Sequence, residues 1–159
     1  MITLSKIALL AGLGFWLSIA LLNNLRDFGR GVKAMGDLMA MRALDVEPVV
    51  TTPLTRNRVT SLAWHRVVFS LILIMEGLTA ALLLGAAVFH VVALVGAGNP
   101  PAQVAGQFAV GAFLALGSTM LVGGTWFAYH LKLPTVQLTH LTMLAVGAAA
   151  AVLLNQTVL

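Results

Sequence analysis

Hydrophobic positions gather into four long runs, Ile7–Leu22, Val67–Val95, Val104–Tyr129 and Val136–Leu154, with the polar residues concentrated between them. At ~20 residues per crossing, each run is long enough to span ~30 Å of hydrocarbon as a helix. Backbone groups in lipid must be satisfied internally, which leaves helices or closed barrels. The apolar-out, polar-in alternation of a barrel strand is missing. The pattern predicts an all-α fold, an integral membrane four-helix bundle, as a single membrane domain over 1–159 with spans at about 5–24, 63–95, 104–130 and 135–154. Lys6 alone makes a charged leader, and no small-x-small cleavage site precedes Asn23 and Asn24, so the first run reads as a retained helix.

The second run is over-long. From Leu62 to Val95 it makes a helix of roughly 50 Å, so it must tilt, project beyond the lipid, or bend near Gly77 and Gly85. Before it lies a long mixed segment. Over 27–44, Phe28, Val32, Met35 and Met39 recur at helical spacing, while Arg30, Lys33 and Asp37 fall largely elsewhere on the wheel. This is an amphipathic interfacial segment, suited to a membrane surface or a partner groove. Gly29, Gly31 and Gly36 lower its helicity, so it needs a surface to form on. Residues 45–57, with Pro48 and Pro53, read as extended loop. A short uncharged turn joins spans two and three, and His130–Pro134 closes spans three and four into a hairpin.

Composition sharpens this. Of 159 residues 60% are hydrophobic and 9% charged, with a mean hydropathy of +0.99, against about 25% charged in soluble domains. A soluble enzyme, a disordered regulator and a free nucleic-acid binder are excluded. The absence of cysteine removes disulfides, thiolate metal sites and a cysteine nucleophile. The net charge of +4 carries no nucleic-acid signal, because seven of the nine basic residues lie in or beside the first connecting segment. That is a topology and headgroup signature. Counted by the positive-inside rule, it puts both termini outside.

Glu76 is the most informative residue. Counted from Arg66 it lies ~15 Å along its helix, near mid-membrane, where a carboxylate is paired, protonated or functional. The functional readings are proton or cation handling, or a hydrogen bond to a quinone or a haem propionate. The structural reading is a protonated Glu76 tied to a neighbour through Thr79, Ser118, Thr119 or Thr125. No second membrane carboxylate exists, so neither a relay nor a two-carboxylate metal site can be built from this chain alone, and no metal is expected. His65, His130 and His140 fall toward one membrane face and are the candidates for haem b or another ligand, with His90 toward the other. Axial ligation needs two imidazoles at similar depth, whereas His130 and His140 differ by ~9 Å of helix rise; interfacial hydrogen bonding is the simpler role.

Gly77, Ala81 and Gly85 form a small-residue ladder on span two, with Gly124 and Ala128 on span three and Gly147 and Ala151 on span four. These are candidate helix-packing faces, for this chain or for other subunits. Trp16, Trp64, Trp126 and Tyr129 stand near or within span ends, and aromatic belts account for at least Trp64 and Tyr129 without a ligand. Asn23 and Asn24 cap or anchor the end of span one, and with Asp27, Arg30 and Lys33 are candidates for headgroup or partner contact. There is no Walker loop, GxGxxG, HExxH or nucleophile elbow, so no enzyme is expected.

Three stretches, read together, resemble a known family: the close of span one (Asn23, Asn24, Asp27, Gly29), Trp64-His65-Arg66 leading to Met75-Glu76-Gly77-Leu78-Thr79-Ala80, and Gly123 to His130. The order of pieces over nearly the whole chain is similar to DUF2165, small integral membrane proteins of bacteria. The resemblance implies four membrane helices, a long first loop and a bacterial cytoplasmic (inner) membrane address, and it implies no activity. Members of that family often carry an acidic residue where this chain has Thr125. They also tend to carry basic residues between spans two and three, which would put the first loop outside, opposite to the charge count.

The leading expectation is a non-catalytic accessory or structural subunit of a larger, respiratory or other redox, membrane complex, in contact with lipid and other membrane subunits. Its rivals are a membrane anchor binding haem b or quinone around Glu76 and the histidines, and a small transporter using Glu76. One carboxylate in four helices makes a monomeric pore a poor design, so transport would need an oligomer.

Overall fold

The structure, a computed structural model, describes residues 2–98 and 100–156. Among them are helices and turns and no strand. The helices are α1 (Ile2–Arg26), α2 (Phe28–Met39), α3 (Leu62–Leu94), α4 (Ala102–Trp126), the single turn α5 (Tyr129–Lys132) and α6 (Pro134–Asn155). α1, α3, α4 and α6 are long and apolar enough to cross a membrane.

These four pack as a row in which α1 lies on α3, α3 on α4, and α4 on α6. The apolar stripes that face inward place Leu10, Leu17, Leu83, Phe113, Leu116 and Leu154 in one buried core. Close approach is set by small residues. A Cβ added at Gly14 would stand 2.8 Å from Leu84, and one at Gly147 would stand 2.6 Å from Leu114, closer than real carbons come. Of the expected ladders, Gly77 (against Leu21) and Gly147 serve helix packing, whereas Ala81 and Gly85 face outward. Gly124 does something else, because its missing side chain makes room for the Tyr129 ring of the following turn.

The row closes on itself at one end only. There the Lys6 Nζ donates to the Leu154 and Gln156 carbonyls at 2.8 and 2.9 Å, tying α1 to the end of α6. Further along, α1 and α6 part around a cavity of about 410 Å³ lined by Leu13, Trp16, Phe113, Leu138, Thr142 and Val146.

The amphipathic segment finds its surface within the chain. α2 carries on along α3 after a break at Asp27, burying Val32, Gly36 and Met39 and exposing Arg30 and Lys33. Gly31 sits under the Phe69 ring, and a Cβ at Gly36 would stand 2.6 Å from His65 Nδ1. The glycines that weaken the isolated helix are therefore what lets it touch α3. This also accounts for the length of α3, which has two partners in succession, α1 and then α2. The loop that follows is less extended than its prolines imply. 3-10 turns form at Arg42–Asp45 and Pro53–Asn57, the second capped by Thr52 Oγ1, which accepts from the Leu54 N–H at 3.3 Å. An Arg58–Asp45 ion pair at 2.6 Å and a bond from Lys132 Nζ to the Val46 carbonyl at 3.0 Å hold the loop over the bundle end.

The third span ends sooner than its apolar run. The helix stops at Trp126, and Ala128 takes a left-handed conformation (φ 56°) that reverses the chain into α5. The apolar run hides this turn because Phe127 and Ala128 continue it and no charged residue, glycine or proline follows Trp126 until Lys132.

Candidate functional site

Glu76 borders a cavity of about 400 Å³ enclosed by the ends of α1, α4 and α6, by α2 and α5, and by the middle of α3. Its wall is mainly apolar, with Phe69, Ile72, Met75, Met120 and Val136 among the lining residues. The polar groups that reach it are Asn24, Glu76, Thr119, Tyr129 and His140. Helix register brings them together. α1 runs antiparallel to α3, which sets Asn24 opposite Glu76, and α4 and α6 bring Met120 and His140 to the same level.

Glu76 is 6% exposed, and its Oε2 accepts a hydrogen bond from Asn24 Nδ2 at 3.3 Å. The partner is thus an amide on α1 rather than a hydroxyl on a neighbouring span. The Thr119 and Thr125 hydroxyls donate to the carbonyls four residues back in their own helix (both 2.9 Å); Thr125 and Ser118 are exposed, and Thr79 is buried outside the cavity lining. A threonine in a helix satisfies itself locally, whereas an asparagine reaches further. That reach also revises the role read for Asn24, which bonds across the bundle instead of capping its helix; Asn23 is exposed.

The depth of the site is revised as well. Met120 and His140 lie six residues from Trp126 and from Pro134, the ends of α4 and α6, so the site is ~9 Å from the loop end of the bundle. Counting from Arg66 overstates its depth, because the first turns of α3 project past those ends beside α2.

The structure separates the three candidate histidines. His65 is buried beneath α2 with Nε2 2.9 Å from the Val59 carbonyl, and so is committed to the loop. His130 is exposed on α5. His140 alone faces the cavity, its ring tilted against Tyr129 at 6.3 Å and its Nδ1 buried with no partner among the described residues. These positions do not offer two facing imidazoles, so they do not fit a bis-histidine haem. Tyr129, outside the spans, is also buried, and burial pushes its hydroxyl up to about 12. Of the proposed headgroup contacts, Asp27 and Arg30 form an exposed pair at 3.9 Å, and Lys33 borders a second depression, between α2 and α3, with Arg42 and Arg66.

A family model described as a predicted small integral membrane protein (DUF2165) matches residues 2–157, nearly the whole chain. The chain belongs to this family. No curated protein and no solved structure matches it. In this DUF2165 member, the three stretches on which the resemblance rests all reach the cavity, through Asn24, through Met75 and Glu76, and through Gly123, Phe127 and Tyr129. Sequence reasoning singled out most of these residues without seeing that they meet. It missed Met35 and Phe69 as walls, for which helical spacing was the available signal.

Proposed function

We propose that this membrane protein binds a lipophilic ligand with a small polar head, of the quinone class, in the Glu76 cavity, and that it does so without catalysing a reaction of its own. The carrying observation is an apolar cavity with a few convergent polar groups: the Glu76–Asn24 pair and His140, whose Nδ1 has no partner among the described residues. A volume of about 400 Å³ lies in the range of small-molecule pockets, roughly 300–1,000 Å³. A quinone presents a carbonyl oxygen at each end of its ring. One accepts from the His140 ring N–H, and the other meets the Asn24 and Glu76 side. Leu71, exposed on the bundle surface, also lines the cavity, so a prenyl tail has a way into lipid.

The test is titration of the detergent-purified chain with a short-tailed ubiquinone analogue, read by thermal stabilisation. The wild type is stabilised, whereas Glu76→Leu and His140→Phe melt as folded proteins yet respond at least ~10-fold more weakly. An equal response from all three overturns the reading.

A second reading, an accessory subunit of a larger membrane complex, is supported by the parted α1–α6 seam. Trp16 stands there in mid-helix, 47% exposed and tilted against Phe113 at 6.2 Å. A tryptophan away from the membrane interface is not explained by an aromatic belt. A transmembrane helix of a larger subunit, seated against Trp16, would cover it. Purification from native membranes in mild detergent tests this reading: stoichiometric larger subunits support it, and a chain that elutes alone refutes it.

A further inference from the structure

The opposite end of the bundle holds a second polar site that the Glu76 cavity does not involve. Lys6 is 8% exposed, and besides the Leu154 and Gln156 carbonyls its Nζ reaches Gln103 Oε1 at 3.4 Å. All three acceptors are neutral, so among the described residues the cation is hydrogen-bonded but not neutralised. The acidic side chains of the chain are Asp27, Asp37, Asp45, Glu47 and Glu76. Four lie in the segment after α1, and Glu76 lies fourteen residues from His90, ~21 Å along α3. Beside Lys6, His90 is 6% exposed and its Nε2 has no partner among the described residues. A Cβ added at Gly106 would stand 3.4 Å from that nitrogen and 3.2 Å from Leu154, which places His90 next to the residue whose carbonyl Lys6 holds.

Lys6, His90 and Gln103 share the lining of one cavity of about 480 Å³ with the first turn of α4. The start of a 25-residue helix presents backbone N–H groups and the positive end of its dipole, which favours an anion. A buried lysine with no counter-charge among the described residues, a buried histidine with no partner among them and a helix N-terminus thus converge on one cavity, and the charge that would match them is negative. The rim is apolar. Leu94 and Val104 line the cavity and are exposed, as is the adjacent Val95, at the outer ends of two membrane-crossing helices.

We propose that this cavity binds the phosphate of an anionic phospholipid headgroup, with the acyl chains lying along the exposed rim. The phosphate neutralises Lys6, accepts from the His90 ring N–H, and faces the first turn of α4. A free phosphate shares this anionic chemistry but leaves the apolar rim uncovered, so the lipid is the better fit. The site is independent of the quinone reading and survives its failure.

The experiment is native mass spectrometry of the full chain in neutral detergent, titrated with dioleoyl-phosphatidylglycerol, dioleoyl-phosphatidylcholine or inorganic phosphate. The expected result is one retained phosphatidylglycerol, bound at least ~10-fold more tightly than phosphatidylcholine. Lys6→Gln and His90→Phe each weaken it at least ~10-fold, while Lys132→Gln, a charge removed at the other end of the bundle, leaves it unchanged. If Lys6→Gln does not fold, His90→Phe carries the test. Equal binding of the two lipids, or unchanged binding in His90→Phe, overturns the proposal. Inorganic phosphate that displaces the lipid at similar concentration overturns the lipid assignment in favour of a free anion.

Discussion

At the scale of single residues, some buried polar side chains are tied to partners on other elements, as Glu76, Lys6 and His65 are, while His90 and His140 stand at cavity walls with a ring nitrogen that has no partner among the described residues. Glu76 illustrates the first case. Its bond to Asn24 joins α1 to α3, and Gln at this position retains an oxygen that accepts the same bond. Glu76→Gln is therefore expected to melt close to the wild type by circular dichroism in detergent. Asn24→Leu leaves the carboxyl without its donor and is expected to destabilise by about 1–3 kcal/mol. Tyr129 supports a pH prediction. Its folded value is raised from 10.0 to about 12, so the folded state holds the phenolic proton more tightly than the unfolded chain does. The corresponding stability is fully present below about pH 10 and is lost as pH rises through about 12. Tyr129 is the only tyrosine, so phenolate ultraviolet absorbance follows its titration directly, and Tyr129→Phe removes this part of the alkaline loss.

At the scale of elements, the glycines divide by what stands opposite them. Gly36 admits the His65 ring beneath α2, whereas Gly85 faces open space. Gly36→Val is expected to lift α2 off α3, in the range of overpacking costs, about 1–3 kcal/mol, and to hasten protease cleavage within 27–44. Gly85→Val is expected to leave both stability and cleavage unchanged in the isolated protein. The sequence suggests the reverse, with Gly85 in a helix-packing ladder and Gly36 only a weakness in its helix, since a small residue looks the same whether it faces a helix or lipid. The amphipathic spacing of Phe28, Val32, Met35 and Met39 was legible. That its covering surface is α3 of the same chain was not, because it depends on α3 continuing past the ends of α4 and α6.

At the scale of the whole molecule, the row of helices is pinned at the Lys6 end and parted around Trp16, which creates an asymmetry between its two edges. Trp16→Ala is expected to change the melting of the isolated chain by less than about 1 kcal/mol, since the ring is half exposed. It is expected to abolish recovery of larger subunits in a native-membrane purification; recovery unchanged in Trp16→Ala would remove the seam from the accessory-subunit reading. The cavity and the seam share no lining residue, so the two variants Glu76→Leu and Trp16→Ala separate ligand binding from partner binding.

The all-helical class, the four membrane-length helices, the amphipathic segment between the first two, and Glu76 as the residue that most needs a partner are all legible in the order of residues. These follow from local physics: the length of apolar runs, the periodicity of side chains, and the cost of a carboxylate in lipid. That Asn24 is the partner, that His140 rather than His65 or His130 faces the cavity, and that Lys6 and His90 meet at the far end emerge from the packing of the helices alone. The physical reason is register. A sliding of one helix by a turn leaves every hydropathy pattern intact but moves each side chain ~5.4 Å along its neighbour. Which groups meet is fixed by the interlocking of small and large residues, Gly14 against Leu84, Gly36 against His65 and Gly147 against Leu114.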